Sequence, residues 1–222
     1  MLIDFSQCSK LIEILHGDSV KKVYHVGAHI GEEASIYEAN GVEQVIWFEA
    51  NDSLIPTLNW NIQKYNMNQL IIPYALFDEN KTMKFNITNN MQSSSLFDLD
   101  KHLLYYPQIT VSEVKMVQAY RLDALINVTP RYLPWSDFDF INIDTQGAEL
   151  AVLKGLGSYI DQPSIKGIYI EVNFESLYKE IPLITEIDQF LLLHRFHRMI
   201  TKSTKDGWGD ALYLKDIVSN LA

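Results

Sequence analysis

The residues of this 222-residue chain best suited to chemistry begin with Gly27, Ala28, His29, Gly31, Glu32 and Glu33, in the stretch VGAHIGEE that follows a short β-rich run. Glycines in a strand-to-helix turn let the backbone bend tightly and approach a ligand closely. Glu49 lies 22 residues after Gly27, in WFEAN at the end of a second apolar run. That is near the ~20-residue spacing of an acid that grips a ribose diol, so a nucleoside-containing ligand is implied. The glycine spacing is G-x-x-x-G, and Glu32 and Glu33 stand where a dinucleotide would place its pyrophosphate, at a helix start that otherwise favours anions. Two carboxylates there argue against NAD. S-adenosylmethionine, which has no phosphate and carries a sulfonium and an ammonium, suits the same acidic turn.

Three more acids fall after later apolar runs: Asp144 and Glu149 in NIDTQGAE, and Glu171 in IEVN. Parallel strands expose their carboxyl ends together, so these acids are expected on the rim that holds Gly27 and Glu49. An acid directly after a buried strand needs a partner or a use. Asp144 is therefore the first candidate for a general base, with Glu171 and His29 behind it. The structural alternatives are an N-cap role for Asp144 and a helix-dipole role for Glu149 in a first helical turn. A divalent metal held by Asp144 and Glu171 is a further option, because oxygen ligands suit magnesium.

These residues need a scaffold, and the sequence alternates β-rich and helical-period runs, the pattern of an α/β domain with a parallel sheet. Strands are predicted over 23–26, 45–49, 70–76, 138–143 and 168–172, and a terminal hairpin over 198–202 and 211–214. Helices are predicted over 9–15, 32–40, 54–62, 148–154 and 183–194. Residues 79–135 are too many for a structureless loop, so strands over 83–88 and 114–122 and a short helix over 122–126 are expected there. The polar run 89–95 reads as mobile. His102, Tyr105, Tyr106 and Trp135 lie in this insertion, where aromatic rings could stack on a sugar. Trp47 and Phe48 read as sheet core, and His194 and His197 as helix-terminal or packing residues. The whole chain, 1–222, reads as one domain, with 1–20 an N-terminal helical segment and 79–135 an insertion shaping an acceptor site.

Bulk properties narrow the function classes. With 28 acidic and 18 basic side chains the formal charge is −10, which disfavours nucleic acid and anionic membranes as partners. A single cysteine, Cys8, excludes an internal disulfide and thiolate zinc clusters. No run approaches the ~20 apolar residues of a membrane span and no signal peptide is read, so a cytoplasmic protein is expected.

The motifs VGAHIGEE, FEAN, PYALFD, SSSL, IDTQGAELAVLKG and GDALYLK, in this order, resemble the landmarks of the FkbM-type methyltransferase family. The resemblance implies a Rossmann-like, doubly wound, mostly parallel seven-stranded sheet with its last strand antiparallel. It also implies S-adenosylmethionine as cofactor and methyl transfer to a hydroxyl of a sugar, glycan or natural product. By position, Gly27, Ala28, His29, Gly31 and Glu32 would line the amino-acid end of the cofactor. Glu49 would hold the ribose, with Ala50 and Asn51 beside it and Ala75 and Leu76 flanking the adenine. Asp144 would lie near the sulfonium, and Ser94, Ser95 and Gln146 near the acceptor. A nicotinamide-dependent oxidoreductase and a catalytically silent binding protein are the rival classes.

Overall fold

The alternation of apolar runs and helical periods produces a βα repeat, seen in a computed structural model that describes residues 1–128 and 137–217. The chain opens with α1 (Phe5–His16), then alternates β1 (Lys22–Val26), α2 (Ala34–Ala39), β2 (Gln44–Phe48), α3 (Ile55–Ile62) and β3 (Asn68–Ile72). Next come β4 (Ala75–Leu76), β5 (Lys81–Thr88), α4 (His102–Tyr105), β6 (Val111–Tyr120) and α5 (Leu122–Val128). The last part runs β7 (Phe140–Ile143), α6 (Glu149–Gly155), β8 (Gly167–Asn173), α7 (Ile184–Leu193), β9 (Phe196–Ser203) and β10 (Trp208–Lys215).

Seven strands form one sheet in the order β3-β2-β1-β7-β8-β10-β9. The first five run parallel, and β10 is antiparallel to both of its neighbours. This is the expected doubly wound α/β sheet with a terminal hairpin. Order reverses between β1 and β7, so their carboxyl ends open the crevice where such sheets bind ligands.

Strand alternation sends side chains to two cores. Tyr24, Val26, Ile46 and Phe48 join Leu122, Val152, Ile187 and Leu191 on one face, packed by α5, α6 and α7. Val23, Val45, Trp47 and Phe140 join Phe5, Ile12, Tyr37 and Leu58 on the other, packed by α1, α2 and α3. Each fully buried Leu, Ile, Val or Phe contributes roughly 1.5–3 kcal/mol, which makes these two layers the rigid support of the strand ends.

Several local boundaries depart from expectation, among them the strand expected over 114–122, which spans Val111–Tyr120, and three others. The strand predicted over 70–76 divides at Pro73: β3 stays in the main sheet, while β4 pairs parallel with β6 in a second, three-stranded sheet of order β4-β6-β5. Proline has a fixed φ and no N–H to donate, so the ladder ends there. The first helix starts earlier, because the Asp4 carboxylate accepts from Ser6 N at 2.8 Å and caps it. The helix predicted over 32–40 begins only at Ala34. The insertion carries the predicted strands and helix as β5, β6 and α5, and adds α4.

The polar run 89–95 is exposed over 89–92 and buried at Ser93 and Ser95, and it is laced by hydrogen bonds. Thr88 Oγ1 donates to Asn90 Oδ1 (2.7 Å), Asn90 Nδ2 to Ser93 Oγ (3.0 Å), and Asn86 and Ser95 pair through their main chains. Trp135 lies outside the described residues.

Candidate active site

The turn after β1 is shaped by crowding. Gly27 has φ +88°, and a Cβ there would fall 1.7 Å from the Asp144 carbonyl oxygen, so the glycine is demanded by the neighbouring β7 end. Gly31, at φ +78°, packs on Leu58 and Ile62 of α3. His29 holds φ +46°, and its main-chain N–H donates to Glu49 Oε2 at 2.7 Å. Its ring Nδ1 lies 2.7 Å from Glu32 Oε1, a contact that raises the imidazole above its ordinary value.

Glu49 is buried at the end of β2, and its second oxygen accepts from Asn51 N at 2.7 Å. Burial pushes its carboxyl up, although both main-chain donors oppose this. A carboxylate has about four lone-pair sites, so acceptor capacity remains for a diol. Beside it, Asn51 Oδ1 accepts from Ser53, whereas the buried Asn51 Nδ2 has no partner.

After β7 the chain bends through Gln146, at φ +57°, before α6. Gln146 Nε2 donates to Asp144 Oδ1 (2.8 Å) and Glu171 Oε2 (2.9 Å), while its Oε1 accepts from Tyr178 OH (2.6 Å). One amide thus ties two carboxylates together. Asp144 keeps access to solvent from the cleft, yet the protein packed around it withdraws it from bulk water. That desolvation, with Asp210 and Glu33 nearby, pushes its carboxyl up to about 6. Glu171 is buried, and burial together with Asp144, Glu149 and Asp210 holds it well above the usual carboxylate range.

The N-cap of α6 is Ala148, not Asp144, which leaves the Asp144 carboxylate facing the cleft. Glu149 does sit in the first turn of α6, but it is fully buried and folds back on the loop. Its Oε1 accepts from Thr145 N and Oγ1 (both 3.0 Å), and both of its oxygens take Gly147 N (3.1 and 3.0 Å). It therefore holds the Gln146 bend from behind, away from the rim expected for it.

Two cavities open at the switch point. The narrower is an apolar sleeve of Phe48, Leu54, Tyr74 and Phe85 that also takes in Glu49, Ala50, Asn51, Ala75, Leu76 and Ser94. The larger is polar and takes in Ala28, Glu32, Glu33, Glu171 and Asp210. Gly27, His29, Gln92, Asp144 and Gln146 line both and mark their junction. Gly31 and Ser95 line neither. Ser95 is buried, its hydroxyl donating to Gln146 O at 2.6 Å and accepting from Phe97 N at 2.9 Å, so it props the bend.

Several lining residues carry no local sequence signal. Gln92 and Ser93 precede the expected serine positions; Tyr178, in the loop before α7, lines neither cavity but holds Gln146 through its hydroxyl. Asp210 sits in GDALYLK, where an acid inside an apolar strand was the one available clue. His102 and Tyr106 reach the larger cavity, whereas Tyr105 turns to Glu175 (3.1 Å). Trp47 and Phe48 are buried in the sheet, Phe48 also touching the sleeve. His194 caps the end of α7 beside Asp161, and His197 in β9 pairs with Asp216. Among the described residues no group of three or more His, Cys, Asp or Glu is arranged to hold a metal ion.

The methyltransferase FkbM domain matches residues 25–198. The chain belongs to the FkbM methyltransferase family. Membership displaces the oxidoreductase alternative, and the acidic turn agrees with that exclusion. The fold of this FkbM-family chain is similar to M. capricolum TrmK in complex with S-adenosyl-homocysteine, at TM-score 0.51 and 12% identity over 98% of this chain and 70% of that one. An rRNA methylase from Streptococcus thermophilus gives TM-score 0.52 at 9% identity, over 97% and 98% of the two chains. Magnesium protoporphyrin IX methyltransferase from Synechocystis PCC 6803, solved with bound SAM, gives 0.50 at 9%, over 96% and 79%. At these identities the likeness establishes the class I methyltransferase fold. Among curated proteins no sequence match is found. No helix among the described residues is long and apolar enough to cross a membrane.

Proposed function

We propose that this FkbM-family enzyme transfers the methyl group of S-adenosylmethionine to a hydroxyl of a sugar, glycan or natural product, with Asp144 as general base. The observation that carries this reading is the meeting of two cavities at Asp144, one suited to a nucleoside and the other open to an acceptor. The sleeve fits the donor. Apolar rings and Ala75 and Leu76 suit an adenine, and Glu49 with the orphaned donor Asn51 Nδ2 suits a ribose diol. Among the described residues neither cavity is lined by Lys or Arg, which a pyrophosphate would favour. S-adenosylmethionine, when bound, supplies a methyl group activated on a sulfonium.

The chain's own contribution is alignment and proton handling. Holding reactants in line removes much of the entropic barrier to displacement. The rigid ends of β1 and β7, the Gln146 bend and the insertion that supplies Gln92 and Ser93 perform that task in our reading. Asp144, up at about 6, is ionised at neutral pH and able to accept the hydroxyl proton as the bond forms. Glu171, buried and held well above the usual carboxylate range, and His29, drawn toward its protonated form by Glu32, suit the role less well. We read residues 1–222 as one methyltransferase domain whose segment 79–135 shapes the acceptor side.

The test is Asp144→Asn. It should lower kcat by roughly 10²–10⁴-fold, the span of general-base effects, while S-adenosylhomocysteine binding by calorimetry persists. A near-wild-type rate would remove Asp144 from the role.

A further inference from the structure

The larger cavity has a charge balance that the donor alone does not use. Five carboxylates, Glu32, Glu33, Asp144, Glu171 and Asp210, line it. Apart from the terminal amine of Met1 and His29, whose ring is already engaged by Glu32 at 2.7 Å, no cation among the described residues lines the cavity to answer them, for His25 is buried and pushed down to about 3. In the reading above, Glu32 belongs to the donor end and Asp144 to the transfer. Glu33, Glu171 and Asp210 remain, on the side away from the sleeve.

Two further features show that this is a built pocket and not only an acidic surface. Asn142 and His102, at 2% and 4% exposure, line the same cavity, and Asn142 Oδ1 and His102 Nδ1 each lack a hydrogen-bond partner. Both atoms can accept an N–H or O–H. Trp208 and Tyr106 line the same cavity, Tyr106 packed beside the His102 ring at 5.0 Å, and form an aromatic wall joined by Trp208 Nε1 donating to Tyr106 OH at 3.2 Å and anchored by Tyr106 OH donating to Asp206 at 2.7 Å. Flat rings beside unpaired acceptors and excess carboxylates suit a ring-shaped, hydroxylated ligand that is cationic.

We infer that the acceptor bears a protonated amine beside its hydroxyls, as an amino sugar does, and that Glu171 and Asp210 receive the amine. The inference rests on the methyltransferase reading and deepens it by assigning the acceptor's charge. A phosphorylated or otherwise anionic acceptor is disfavoured on the same ground, because it would meet five carboxylates with no lysine or arginine. Burial, and after it the acidic neighbours Asp144, Glu149 and Asp210, holds the Glu171 carboxyl above the usual range, and an arriving ammonium relieves the neighbours' share of that shift.

Calorimetry on the full chain saturated with S-adenosylhomocysteine tests this. The probes are the trimer of glucosamine, the trimer of N-acetylglucosamine and glucose 6-phosphate, at mildly acidic pH where the free amines are protonated. The glucosamine trimer should bind at least about tenfold more tightly than its acetylated counterpart, the value of one charge-assisted hydrogen bond. Glu171→Gln and Asp210→Asn should each lower that preference, with S-adenosylhomocysteine binding checked in each variant to verify folding. Equal affinity, preference for the acetylated trimer or the phosphate, or no binding of the amine trimer by protein that still takes up S-adenosylhomocysteine overturns the inference. Failure of the wild-type chain to bind S-adenosylhomocysteine overturns instead the reading beneath it.

Discussion

Glu49 has two tasks at once, because each of its oxygens already receives a main-chain N–H, from His29 and from Asn51. It therefore joins the β1 turn to the β2 end before any ligand arrives. Removing it should cost both preorganisation and the ligand contact. Glu49→Ala should weaken S-adenosylhomocysteine binding by roughly tenfold to a hundredfold, the worth of a charged hydrogen bond at about 1.5–3 kcal/mol, as read by calorimetry. Asp144 adds a pH signature to the loss expected for its Asn variant. A base must be ionised to act, so the wild-type kcat/KM should fall as the pH drops through about 6, and the Asn variant should lose that limb. These two acids were legible because they follow apolar strands. Tyr178 was not, since its bond to Gln146 Oε1 spans 32 residues and leaves no trace in local pattern.

Helix α6 ends in a glycine whose reason is tertiary. A Cβ on Gly155 would fall 2.1 Å from the Phe77 carbonyl oxygen, so the helix lies directly against the chain that follows β4. In an exposed helix, Gly→Ala adds about 1 kcal/mol of stability. Here the sign reverses: Gly155→Ala should destabilise by roughly 1–3 kcal/mol through overpacking, measured by urea unfolding. The helix itself was readable from its period and its closing glycine, and the central strands from runs buried on both faces. The second sheet was not, because a strand that changes sheets at Pro73 looks like one continuous apolar run. The hydrogen bonds that fix 89–95 are likewise invisible in a composition that is merely polar.

At the scale of the whole molecule, the site gathers a surplus of desolvated carboxyl groups, Glu49, Glu149 and Glu171 buried and Asp144 open only to the cleft. Glu49, Asp144, Glu149 and Glu171 are all raised, chiefly by desolvation. A raised carboxyl binds its proton more tightly folded than unfolded, so its stabilising effect is full below the unfolded pKa and lost as the pH rises through the folded value. Glu171→Gln removes one such group and keeps an acceptor for Gln146. Its melting temperature should exceed that of wild type by a margin that widens as the pH rises from about 5 to about 8. An equal or shrinking margin would mean that Glu171 is not strained by its neighbours.

The placement of the tryptophans also has an optical consequence. Trp47 is sealed in the sheet and Trp60 is 69% exposed on the far surface of α3, while Trp208 stands in the wall of the larger cavity. Indole emission is sensitive to nearby charge and water, so of the three described indoles one stands where an acceptor would stack and two where it would not. Titration with the glucosamine trimer should change the emission of the wild type, and Trp208→Phe should abolish that change while leaving the signals of the other indoles. Occupancy of the acceptor side can then be followed without a label, before any methyl group moves.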